Sequence, residues 1–134
     1  MEVFSTDDAF SSSNPNSQAI KSNGFVFVSG QAALDPSYSG EVVDGPHADD
    51  IGGQDIEDQV HLTFQNIEAI LDAAGSSLDD IVKTTVYFTD PDHYEPINDV
   101  YGEYVSEPYP ARSAVIIADI AVGVDVEIEV IAEA

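Results

Sequence analysis

The chain has 134 residues, 43% of them apolar, and a formal net charge of −23 from 26 acidic side chains against three Lys plus Arg. That length fits one domain, 1–134, with a core of its own. Three cations cannot form the basic patch that nucleic acid needs, and a chain without cysteine has no disulfide, thiolate nucleophile or Cys-based zinc site. In chain order, residues 1–15 are polar and read as an irregular lead-in with a short strand at Val3–Phe4. Gln18–Lys21 and Phe25–Val28 read as strands about Ser22-Asn23-Gly24, since Asn-Gly favours a tight hairpin turn. The second strand ends in Ser29-Gly30-Gln31, where a glycine lets backbone amides come close to a ligand. Asp35–Asp55 holds four glycines and two prolines and reads as a long loop, with one short edge pairing at Val42–Val43.

From Asp55 to Ala74, Ile56, Val60, Phe64, Ile67, Leu71 and Ala74 recur at steps of three and four, which predicts an amphipathic helix. Gly75 stands where a left-handed cap belongs. Ile81–Thr89 is rich in β-branched residues and predicts a strand with Val82, Thr84, Val86 and Phe88 on one face. A second helix is expected from His93 to Val105, opened by an Asp92/Glu95 capping box with Pro96 in its first turn and stopped by Pro108 and Pro110. Closing strands at Ser113–Asp119 and Val124–Ala132 flank a turn at Gly123. This order gives an α+β fold, a mixed sheet with two helices on one face. The other face then needs cover, and neighbouring subunits are the obvious source.

Arg112 is the only arginine, and it follows Pro108 and Pro110. A guanidinium grips a carboxylate through two parallel hydrogen bonds, so it reads either as an anion site or as a partner for one of many surface acids. Glu127 and Glu129 share a strand face. Glu127 is either a general base with a pKa raised by burial or part of a solvent-facing acidic strand. Ser29, beside Gly30, is a candidate ligand contact. Asn98 lies beside the apolar face of the second helix and either caps backbone or reaches into a cleft. His47, His61 and His93 lack metal-ligand spacing, so no metal is expected.

The first residues lack a basic and an apolar signal region, and no apolar run is long enough to cross a bilayer, so a cytoplasmic protein without a membrane partner is expected. Spread-out acids with few lysines suggest a high-salt cytoplasm, because at roughly 1 M salt the Debye length falls to about 3 Å and self-repulsion fades.

Pro110-Ala111-Arg112-Ser113, the apolar Val115–Ala118, and Val126-Glu127-Ile128 make a long pattern that resembles the RidA (YjgF) family of enamine and imine deaminases. Ser17-Gln18-Ala19, Ser29-Gly30-Gln31, Asn66–Gly75, Ile81–Val86 and Asn98 with Tyr101 extend the likeness over most of the chain. The resemblance implies a chorismate-mutase-like fold, a homotrimer with sites between subunits, and no cofactor. It also implies hydrolysis of a 2-imino acid, tautomer of an enamine such as 2-aminoacrylate, to a 2-keto acid and ammonia. By the same resemblance, Arg112 binds the substrate carboxylate and Glu127 positions or activates water. Ser29 and Gly30 line the pocket, and Asn98 lies near it. Three positions depart from the family pattern. Asn16 replaces a pocket-closing tyrosine, Ala114 stands where some members have cysteine, and Ala121 replaces a proline. The Asp35–Asp55 loop is longer than usual and is expected to reshape the cleft mouth. A trimeric sensor binding small carboxylates is the alternative that Asn16 favours; an endoribonuclease is opposed by the acidic surface.

Overall fold

The computed structural model describes residues 1–38 and 55–134. Its strands are β1 (Glu2–Phe4), β2 (Ala19–Ser22), β3 (Phe25–Ala32), β4 (Ile81–Phe88), β5 (Ala111–Ile116) and β6 (Val126–Glu133). Its helices are α1 (Ile56–Ala73) and α2 (Tyr94–Tyr104). The strands form one sheet in the order β1-β2-β3-β6-β4-β5, with only β4 and β5 parallel. Both helices pack on one face, giving the expected α+β architecture. The Val42–Val43 pairing, His47 and most of the Asp35–Asp55 loop fall outside the described residues.

Local chemistry explains the elements that the sequence announces. Asn23 (φ 54°) and Gly24 (φ 82°) are both left-handed, as a two-residue turn between twisted strands requires. Asp55 caps α1 by accepting a hydrogen bond from the Glu57 amide at 2.8 Å. At the other end Gly75 (φ 78°) donates to Asp72 O, and Ser76 donates to Leu71 O, closing the helix in a Schellman motif.

Four details differ from expectation. The closing strands do not pair with each other. β5 leaves α2 and joins the edge beside β4, while β6 runs back antiparallel between β3 and β4. Burial accounts for this: Val126, Ile128, Val130 and Ala132 are at most 2% exposed, so the most apolar alternation takes the central slot with two partners. In β4 a register shift between Ile81 and Lys83 turns Ile81, not Val82, into the core. Asp92 does not cap α2; Asp90 accepts from the Asp92 amide and opens a short 3-10 turn, Pro91–His93, that leads into the helix. β5 also starts at Ala111 rather than Ser113, so Arg112 lies within the strand.

Phe64, Ile67, Ile70 and Leu71 of α1 and Ile97, Val100 and Tyr101 of α2 are buried against Val26, Val28, Val86 and Phe88 of the sheet. Each such side chain contributes about 1.5–3 kcal/mol by leaving water. A smaller cluster of Leu34, Ile120 and Val124, packed by Phe10, Ala32 and Val122, sits beside it. On the opposite sheet face Val3, Ile20, Phe27 and Ile131 stand side by side across β1, β2, β3 and β6. Val3 is 61% and Phe27 44% exposed, so one chain leaves an apolar band in water.

Candidate functional site

A cleft of about 330 Å³ opens where the N-terminal segment passes the end of β3. Asn16, Ser29, Gly30 and Glu127 all line it, so the fold gathers four of the seven candidate residues into one space. A β-bulge makes the wall. The register runs Val28 with Val130, then Gln31 with Ile128, leaving Ser29 and Gly30 opposite Glu129 alone. A bulge of this kind bends the strand and re-aims its side chains. Ser29 is tied down twice, its hydroxyl donating to Ser17 O and its amide to Gln18 O. Asn16 is exposed at the cleft, with its amide bonded to Asn14 O.

Glu127 sits hard against Gly30. A Cβ on that glycine would lie 2.9 Å from both Cδ and Oε1 of the carboxylate. Burial pushes the Glu127 carboxyl above the usual carboxylate range, and the charge of Glu129 two residues on adds to the shift. Glu129 in turn accepts a hydrogen bond from the Tyr87 hydroxyl at 3.0 Å, which with burial holds the phenol proton more tightly. The arrangement is a half-buried carboxylate with an elevated proton affinity, facing a polar cleft: a group able to hold and deprotonate a water.

Arg112 lies on the other face of the sheet. It stands beside Thr84 in the β4–β5 ladder, and Thr84 points into the helix layer, bonded to the Tyr101 hydroxyl at 2.9 Å. Glu127 pairs with Tyr87, which points the opposite way from the buried Val86 and Phe88. Within one chain the two residues therefore do not share a site. Arg112 is nonetheless built in place. Its Nη2 donates to Asn98 Oδ1 at 2.6 Å, and its guanidinium lies 4.7 Å from the Tyr101 ring centre and 5.6 Å from that of Tyr94. Asn98 thus aims the arginine rather than capping backbone. Ala114 follows on the same face of edge strand β5 and is exposed. Neither side chain of the Arg112–Asn98 pair borders the Glu127 cleft.

The residues that hold the cleft together are buried amides that carried no assigned role in the sequence. Gln18 accepts from the Thr6 amide at 2.7 Å and donates to Thr6 O and Phe10 O, stitching the N-terminal segment down. Asn66 donates to Leu34 O at 2.9 Å and so fixes the chain just past β3. Gln59 exchanges two 2.9 Å hydrogen bonds with Asp125, locking the entry to β6 two residues before Glu127. The signal was present: Gln59, Thr63 and Asn66 fall at steps of four and three beside the apolar stripe of α1, where only a paired polar group is tolerated. Among the described residues no His, Asp or Glu group is arranged to hold a metal, and no helix is long and apolar enough to cross a membrane.

The family described as Endoribonuclease L-PSP matches residues 6–134. A RutC family protein of Pyrococcus horikoshii is 44% identical over 131 residues, covering 98% of this chain and 96% of its own. Reactive Intermediate Deaminase A of Arabidopsis thaliana chloroplasts is 36% identical over 98% of this chain and 65% of its own. The structure of E. coli TdcF with bound serine superposes with a TM-score of 0.84 at 34% identity, covering 100% of this chain and 99% of that one. With this breadth of match in sequence and fold, the chain belongs to the RidA family, grouped under the Endoribonuclease L-PSP description.

Proposed function

We propose that this protein is a hydrolytic deaminase of 2-imino acids, working as a homotrimer whose sites join the Glu127 cleft of one copy to Arg112 of the next. The observation that carries the reading is the Glu127 carboxylate, half-buried against Gly30 with a raised pKa beside a polar cleft. An arginine on an edge strand with an aiming amide, and an uncovered apolar band on the sheet, fit an assembly in which copies complete one another. The relative named as a reactive intermediate deaminase supports the same chemistry.

In this mechanism Arg112 takes the substrate carboxylate in a bidentate grip. Glu127 orients one water and accepts its proton as the oxygen attacks the imine carbon. The new C–O bond forms while the C=N π pair moves to nitrogen, which takes a proton from solvent. The resulting 2-amino-2-hydroxy acid loses ammonia as Glu127 returns its proton to nitrogen, the C–N bond breaks and the hydroxyl gives up its own proton to solvent, leaving the 2-keto acid. Orientation supplies much of the acceleration, since imines already react with water. Asn16, Ser29 and the Gly30 backbone border the reacting groups, and Ala114 lies by the arginine. No cofactor enters the scheme.

The test is keto-acid release in about 2 M KCl, where screening offsets the charge of so acidic a chain. Imino acids are generated enzymatically in situ, and wild type is compared with Arg112→Ala and Glu127→Gln. Acceleration lost in both variants upholds the reading; no acceleration with any imine removes it. Carboxylate binding that depends on Arg112 without turnover would identify a metabolite sensor, the reading that bound serine in TdcF favours.

A pH profile follows from the same carboxylate. Glu127 must be ionised to take a proton, so kcat/KM falls as pH drops through its raised pKa, on the alkaline side of an ordinary glutamate. Glu129→Gln removes the neighbouring charge but not the burial. Its acid limb moves to lower pH yet stays above that of a free glutamate. An unmoved limb would show that Glu127 does not set it.

A further inference from the structure

Val122 has φ 66° and ψ 3°, a left-handed backbone that a β-branched residue rarely adopts and a glycine takes freely. Gly123 follows at φ 76°, so two left-handed residues stand in sequence within the turn before β6. A strained residue persists only where its surroundings over-determine it, and such residues gather at binding sites. Here the surroundings are the satellite cluster: Val122 packs on Leu34, Ile120 and Val124, alongside Phe10 and Ala32. Four of those residues, Phe10, Ala32, Leu34 and Val122, also line the Glu127 cleft. Ala32 is the β3 residue paired with Glu127, so this apolar wall begins directly beside the carboxylate. The cleft's volume of about 330 Å³ is of the size that accepts ligands well beyond three carbons.

We propose that Val122, held in its left-handed turn, completes an apolar side-chain pocket that selects imino acids with branched aliphatic side chains over 2-aminoacrylate. The name of the reacting group rests on the deaminase reading; the apolar preference rests on the cleft itself. A methylene gained in such a pocket is worth roughly 10-fold or more in specificity. A three-carbon substrate leaves the part-exposed Phe10–Ala32–Val122 wall, backed by the buried Leu34, in contact with water, whereas an isobutyl group covers it.

Two measurements at high salt test this. The first is calorimetric binding of two 2-keto acids, pyruvate and 4-methyl-2-oxopentanoate. The second is the ratio of kcat/KM for the imine of leucine to that for 2-aminoacrylate. Both are made on wild type, Val122→Gly and Val122→Ala. Wild type should bind the branched keto acid about 10-fold tighter than pyruvate and show a similar kinetic ratio. Val122→Gly should lose most of that preference while its Tm rises, because glycine relieves the backbone. Val122→Ala should lose preference without the rise. A purely structural valine would shift Tm and leave both ratios alone. Equal wild-type affinities, or a preference unchanged in both variants, overturns the proposal. Branched keto-acid binding that depends on Val122, with no imine hydrolysed, would instead end the deaminase reading and keep the pocket.

Discussion

Arg112→Ala and Glu127→Gln each lower keto-acid release by about a thousandfold, and refolding the two variants together restores roughly a quarter of the wild-type rate. The single losses follow from chemistry. In the proposed mechanism, without the guanidinium nothing fixes the carboxylate end of the substrate, and without the carboxylate nothing accepts the water proton. The recovery follows from topology. Arg112 faces the helix layer beside Thr84, and Glu127 faces away from it beside Tyr87, so a site that uses both, as proposed, draws on two copies. In a closed ring every interface joins two different patches. With equal mixing, about one interface in four pairs an intact Glu127 from the Arg112→Ala chain with an intact Arg112 from the Glu127→Gln chain. The other interfaces lack one group or both. Native mass spectrometry would confirm that mixed rings formed. Mixed rings with no recovered rate would mean that one copy supplies both groups, and the shared-site proposal would fall.

Much of this architecture was readable from residue order, and the reasons differ by element. α1 was legible because its apolar period, Asp55 cap and Gly75 stop agree, each a local effect. The β2–β3 turn was legible because Asn-Gly supplies two left-handed residues in a row. The position of β6 was not. A turn at Gly123 is compatible with a hairpin, and only competition for the sheet centre sends β6 past β4 to lie beside β3. Periodicity reports which face is apolar but not which neighbour a strand will take. The same limit divided the site. Pattern alone marked Arg112 as the only arginine and left Glu127 open between a base and a solvent-facing acid; the family resemblance raised both, yet their opposite faces emerge only from register. The bulge at Ser29–Gly30 was equally invisible, since a bulge is a mismatch between two strands and neither strand shows it alone.

Gly30→Ala lowers kcat/KM by about a hundredfold while leaving stability within about 1 kcal/mol of wild type, a separation of effects that few glycine substitutions allow. Gly30 is not among the left-handed glycines, so alanine meets no backbone penalty and slightly restricts the unfolded chain. The new methyl has one neighbour to displace. It would lie 2.9 Å from Glu127 Cδ and Oε1, closer than carbon tolerates, and 3.3 Å from Cγ, a tight contact. Those atoms are the far end of a flexible side chain, so the carboxylate swings aside and the fold keeps its packing. The cost falls on catalysis, because displacing a reacting group by about 1 Å can cost a hundredfold in rate. Measuring Tm and kcat/KM on the same preparation distinguishes this from unfolding. A fall in both together would point to a structural glycine. A rate within threefold of wild type at unchanged Tm would show that the carboxylate beside Gly30 does not handle the water, and would direct the search for the base elsewhere in the cleft.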